Sequence, residues 1–124
     1  MKKTIQNSCK RSESEIQTEF FEKVKLFFPK LPDKLLFAVP NGGSRHPAEA
    51  KRMKGEGIKS GVADVILLVP KKGFASLCLE FKTPKGTQHK EQKIFQKQAE
   101  MCGSCYKIVR SVNQAIIEME KYLK

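Results

Sequence analysis

The chain predicts an α/β fold, a mixed central β-sheet with helices on both sides. Three observations predict it. Short apolar runs over 35–39, 62–69, 75–82 and 105–109 alternate with segments of helical period. The second and third runs are separated only by turn residues, 70–74, and read as an antiparallel hairpin. A helical segment separates the third and fourth, and a strand–helix–strand connection implies a parallel pair. At 124 residues the chain is long enough for one core.

Residues 1–11 are polar and basic and are expected to fray, leaving 12–124 as a single domain. Ser12-Glu13-Ser14-Glu15 fits a capping box, with a helix expected from there to about Phe28. Ile16, Phe20, Val24 and Phe27 fall on one face of it. Pro29 and Pro32 end it. The run over 35–39 is a short buried strand, broken by Pro40-Asn41-Gly42-Gly43. Pro47 suits the first turn of a short helix over 47–56. The nearly continuous apolar run over 62–69 is expected to be a strand covered on both faces. Lys71-Lys72-Gly73 turns the chain into a second core strand over 75–82. A helix over 89–101 follows, with Ile94, Phe95 and Met101 as candidates to face the sheet. Gly103 stops it. The run over 105–109 is a further strand. Ser111-x-x-Gln114 caps the last helix, which offers Ile116, Met119 and Leu123 to the core.

Lysine and arginine total 24 against 13 acids, a formal charge of +11. Such an excess favours a polyanionic partner, with nucleic acid as the default. No run of 18 apolar residues exists, so no membrane association is expected. The start has charges but no apolar segment, unlike a signal peptide. The four cysteines are expected to be reduced thiols, as in a cytoplasmic protein of bacterial or phage origin. Cys102-Gly-Ser-Cys105 has C-x-x-C spacing but no second ligand pair to complete a zinc site. Gly55 to Gly61 does not have P-loop spacing and precedes a strand, so nucleotide hydrolysis is set aside. No small-molecule cofactor is expected.

The chemistry concentrates between Gly61 and Lys82. Asp64 opens one apolar run, and Glu80 and Lys82 close the next. A charge inside an apolar run is costly unless it is paired or metal-bound. In a strand, residues two apart share a face, so Glu80 and Lys82 project together while Phe81 points into the opposite layer. A hairpin brings Asp64 near Glu80. Two carboxylates suit a hard divalent cation such as Mg²⁺ or Mn²⁺. A lysine beside them can orient or deprotonate an attacking water and offset developing negative charge. Upstream, Arg45, Lys51, Arg52, Lys54 and Lys59 form a dense cationic patch, and Lys85 follows the core. These cations suit phosphate contacts that position DNA without reading sequence, or are simply solvated.

Asp64…Glu80-Phe81-Lys82 resembles the PD-(D/E)xK nuclease signature. With Asn41-Gly42-Gly43, Gly57…Gly61, Thr83-Pro84-Lys85-Gly86 and Gln92 around it, the chain is similar to the virus-type replication-repair nuclease (VRR-NUC) family from about Glu15 onward. One departure is Ala63, where the family usually has proline; it loses a rigid φ but no ligand. The resemblance implies a restriction-endonuclease-like core and a Mg²⁺- or Mn²⁺-dependent DNA endonuclease. Asp64, Glu80 and the Phe81 backbone carbonyl would hold the metal, with Lys82 activating water and Gln92 assisting. An N-terminal helix in the family supplies a further acid, and Glu15 is the best match. Glu15 equally serves as the capping partner of Ser12, and the sequence leaves both readings open. Asn41 belongs near the site by resemblance, or to a plain turn. Small stand-alone members resemble Holliday-junction resolvases, which implies a homodimer acting on branched, four-way DNA. The alternative is a basic DNA-binding module without catalysis.

Overall fold

The computed structural model describes residues 11–40 and 46–124. The described elements run α1 (Glu13–Phe27), a 3-10 turn (Asp33–Leu35), β1 (Leu36–Ala38), α2 (Pro47–Gly55) and β2 (Val65–Leu67). They continue with β3 (Leu77–Phe81), α3 (Lys90–Met101), β4 (Cys105–Val109) and α4 (Val112–Leu123). The sheet order is β1-β2-β3-β4, with β1, β2 and β3 antiparallel in turn and β4 parallel to β3. This is the mixed α/β sheet that the order of runs predicts. The expected frayed tail lies almost wholly outside the described residues.

Local sequence accounts for most boundaries. Ser12 and Glu15 close a reciprocal capping box at the start of α1, satisfying two amides that the helix itself cannot. Lys72 and Gly73 both have positive φ, at 52° and 85°. Lys71 and Phe74 exchange two backbone hydrogen bonds across them. Two left-handed central residues define the type I′ turn that matches the twist of a hairpin. Ser111 caps α4 by accepting from the Gln114 amide, while the Gln114 side chain accepts from Arg110 N–H.

β3 is central and buried along its whole length. Its alternation divides the molecule into two layers. Leu77, Leu79 and Phe81 join Val65, Leu67 and Val109 beneath α1 and α4, in the main core with Phe20, Met119 and Ala115. Cys78 lies in a smaller cluster on the other face with Ala63 and Tyr106, packed against Phe95 of α3.

Several expectations are corrected. Phe27 is 58% exposed, because α1 ends there and the chain turns away; Phe28 packs against the core in its place. β2 is shorter than the 62–69 run, so Asp64 precedes it and Leu68 beyond it is exposed. In α3 only Phe95 of the three candidates packs against the sheet. Ile94 and Met101 are exposed, at 40% and 76%, because the inward stripe is shared by Gln92, Phe95, Gln96 and Ala99.

Candidate active site

Three features gather the chemistry at one end of the sheet, on the α3 face. The first is strand alternation, which sends Glu80 and Lys82 to the face opposite Phe81. Both are nearly fully buried, at 1% and 3% exposure. Lys82 Nζ lies 4.0 Å from Glu80 Oε2. The second is the early end of β2. Past the Val65↔Leu79 pair, the Phe81 amide has no strand partner on that side and donates to Asp64 Oδ2 at 2.7 Å. The Asp64 backbone oxygen accepts from Val39 N–H at 2.8 Å, so this acid is tied to both neighbouring strands. A β residue's N–H and C=O point to the same side, so the Phe81 carbonyl is directed toward Asp64.

The third feature is the first turn of α3. Gln92 Nε2 donates to Glu80 Oε2 at 2.7 Å, and its Oε1 accepts from the His89 amide at 2.8 Å. Gly61 sets how closely the Asp64 segment meets this turn. Its φ is +83°, and a Cβ there would lie 2.5 Å from the Glu91 carbonyl carbon. Only glycine meets both conditions.

Glu80 is the most perturbed acid. Burial, then the charge of Asp64 and a hydrogen bond shared with it, push its pKa up to about 8. Lys82 and Tyr106 pull the other way without offsetting this. Two carboxylates confined in a buried site are a receptive place for a cation. Two carboxylates and a carbonyl are hard oxygen donors, which fit Mg²⁺ or Mn²⁺ completing its shell with water. Glu15 is not brought to them. It is exposed in the α1 capping box, and its pKa is lowered by the Ser12 hydrogen bonds. Among the described residues no three His, Cys, Asp or Glu side chains form a metal-sized group. The capping reading of Glu15 is therefore the one this arrangement satisfies.

The candidate DNA contacts are spread along the surface. Lys51, Arg52 and Lys54 are exposed on α2, which buries no residue. Arg52 pairs with Glu56 at 3.2 Å. Lys59 and Lys85 are exposed. Asn41 and Arg45 lie outside the described residues.

Residues that sequence reasoning missed stand behind the acids. Tyr106 OH donates to Glu80 Oε1 at 3.2 Å, and Gln88 Nε2 donates to Tyr106 OH at 3.1 Å. Burial and the Glu80 charge raise the Tyr106 pKa above its ordinary value. Arg110 Nη1 donates to the carbonyls of Thr83 and Gly86 at 2.8 and 2.7 Å, pinning the loop that follows Lys82. For Tyr106, only the parallel register, which pairs Cys78 with Tyr106 and Glu80 with Ile108, reveals the neighbour.

No protein-family model matches the chain, and no curated protein matches it. Among solved structures, a chain titled "VRR_NUC domain protein" superposes with a TM-score of 0.79 at 21% identity. The match covers 91% of this chain and 88% of that one. The chain therefore shares the fold of a VRR_NUC domain protein, an α/β restriction-endonuclease-like core with a mixed sheet flanked by helices.

Proposed function

We propose that this protein is a divalent-metal-dependent DNA endonuclease, acting as a homodimer on branched DNA such as four-way junctions. One observation carries the reading. Asp64 and Glu80 converge beside the buried ammonium of Lys82 on one face of the sheet. A structural ion pair would have no use for the second acid, which makes the burial of Glu80 more costly.

Asp64, Glu80 and the Phe81 carbonyl would hold Mg²⁺ or Mn²⁺. Such an ion supplies Lewis-acid stabilisation of charge developing on a phosphate. The chain's own groups do the rest. Asp64 and Glu80 fix where the scissile phosphate lies. The Lys82 ammonium orients the attacking water and offsets the charge that grows on the phosphate oxygens. Gln92 is a positioning group: both ends of its amide are engaged, one by Glu80 and one by the His89 amide. Lys51, Arg52, Lys54, Lys59 and Lys85 bind flanking phosphates by charge, without reading bases.

One chain carries one such site and cuts one strand, so paired cuts need two chains, for which a C2 dimer is the usual arrangement. The test is cleavage of a labelled four-way junction beside duplex and flapped DNA, in Mg²⁺, Mn²⁺ or EDTA. The expected result is metal-dependent, symmetric cutting of the junction. Tight binding with no cutting in either metal would instead indicate a non-catalytic DNA-binding module.

A further inference from the structure

We infer that Tyr106, backed by Gln88, is a positioning residue that holds Glu80 in the orientation needed to share a cation with Asp64. The inference rests on the nuclease reading of the site and concerns residues which that reading does not use.

Tyr106 is 5% exposed, and its ring packs against Phe95 of α3 with centroids 6.2 Å apart. Packing alone would be served as well by phenylalanine. The hydroxyl has its own partners, donating to Glu80 Oε1 and accepting from Gln88 Nε2. Gln88 is in turn held by Gln96 Oε1 at 2.9 Å. Glu80 thus has a donor on each oxygen, Tyr106 on Oε1 and Gln92 on Oε2. Each carboxylate oxygen has two lone pairs, so these two bonds leave one on each, and Glu80 also shares a hydrogen bond with Asp64. The two donors fix the plane of the carboxylate and hence the direction of the remaining lone pairs.

The parallel register makes this possible. Tyr106 sits opposite Cys78, one same-face step before Glu80 on β3, so a side chain of tyrosine length spans the diagonal. The neighbour in register with Glu80 is Ile108, which has no donor to offer. Partners behind a metal ligand are commonly worth about 10–100-fold in metal affinity or activity when removed.

The experiment compares wild type, Tyr106→Phe, Gln88→Leu and the double variant. Mn²⁺ binding is read without DNA, from the free-ion signal in electron paramagnetic resonance. Cleavage is read separately. Circular dichroism confirms folding, which Tyr106→Phe preserves because the ring still fills its place. The expected result is about a tenfold weaker Mn²⁺ affinity in Tyr106→Phe. Cleavage should fall through kcat at fixed low metal and recover at high metal, with KM for DNA unchanged. Gln88→Leu should weaken Mn²⁺ binding less, and should cost nothing further on the Tyr106→Phe background, because it acts through the hydroxyl. Wild-type Mn²⁺ affinity in Tyr106→Phe overturns the inference and leaves the nuclease reading standing. A wild type that binds no Mn²⁺ and cuts no DNA overturns both.

Discussion

Glu80 shows how burial and charge are set against each other at one position. Its pKa of about 8 stands well above the ordinary 4.5, because burial and Asp64 both disfavour the carboxylate. An acid whose folded-state pKa is raised gives the native state an extra hold on its proton. That stability is fully present below about pH 4.5 and is lost as pH rises through about 8. Metal-free protein should therefore lose stability across this window. Each unit of such a shift is worth about 1.4 kcal/mol, enough to read by urea titration. Glu80→Gln should flatten the profile. If Glu80 holds Mg²⁺ as proposed, the ion would compete with the same proton, and it should then raise Tm more near pH 8 than near pH 5. A wild-type profile as flat as that of Glu80→Gln would show that Glu80 does not carry this proton.

Elements bring these residues together, and glycine at one close approach allows it. Gly61 combines positive φ with backbone of α3 only 2.5 Å from where a Cβ would lie. Gly61→Ala should cost on the order of 3 kcal/mol and push Asp64 away from Gln92. Gly57 also has positive φ, +99°, but faces open space. Gly57→Ala should cost only about 1 kcal/mol. Equal costs in chemical denaturation would mean that close approach at Gly61 is unimportant. The same scale separates what was legible in the sequence from what was not. Period-two alternation was enough to put Phe81 opposite Glu80 and Lys82, and the capping and turn residues located α1, α4 and the hairpin. Hydropathy alone could not show that β2 stops at Leu67, since Val62 and Leu68 are as apolar as the residues that pair. Nor could it show that Ile94 faces solvent while Gln92 and Gln96 face inward, because the inner stripe of α3 carries glutamines that bond Glu80 and Gln88. Tyr106 was invisible for a different reason. Its role depends on the register between β3 and β4, which no residue of either strand encodes by itself.

At the scale of the molecule, a net charge of +11 contrasts with a buried acidic site. On the proposed reading, surface cations would make DNA binding tight and salt-dependent, and the buried acids would supply the chemistry. The Arg52–Glu56 pair is exposed and worth little, so Arg52 can exchange it for a phosphate. Lys51→Ala with Arg52→Ala should weaken DNA binding similarly for every sequence tested. It should also reduce the log–log salt slope by about 0.9 for each phosphate that the protein no longer neutralises. An unchanged slope, measured by fluorescence anisotropy across a salt series, would remove α2 from the DNA-binding surface. No described helix is long and apolar enough to cross a membrane.

The most direct test of the central claim is single-turnover cleavage by Lys82→Ala, with DNA affinity measured on the same preparation. Lys82 is buried against Glu80 and is not among the surface cations, so its removal separates chemistry from binding. The expected result is a cleavage rate lower by at least about 100-fold, the usual scale for removing a charge-stabilising group, with Kd for DNA changed by less than about twofold. A folded Lys82→Ala protein that cuts as fast as wild type would contradict the assignment of the Asp64, Glu80 and Lys82 site as the catalytic centre.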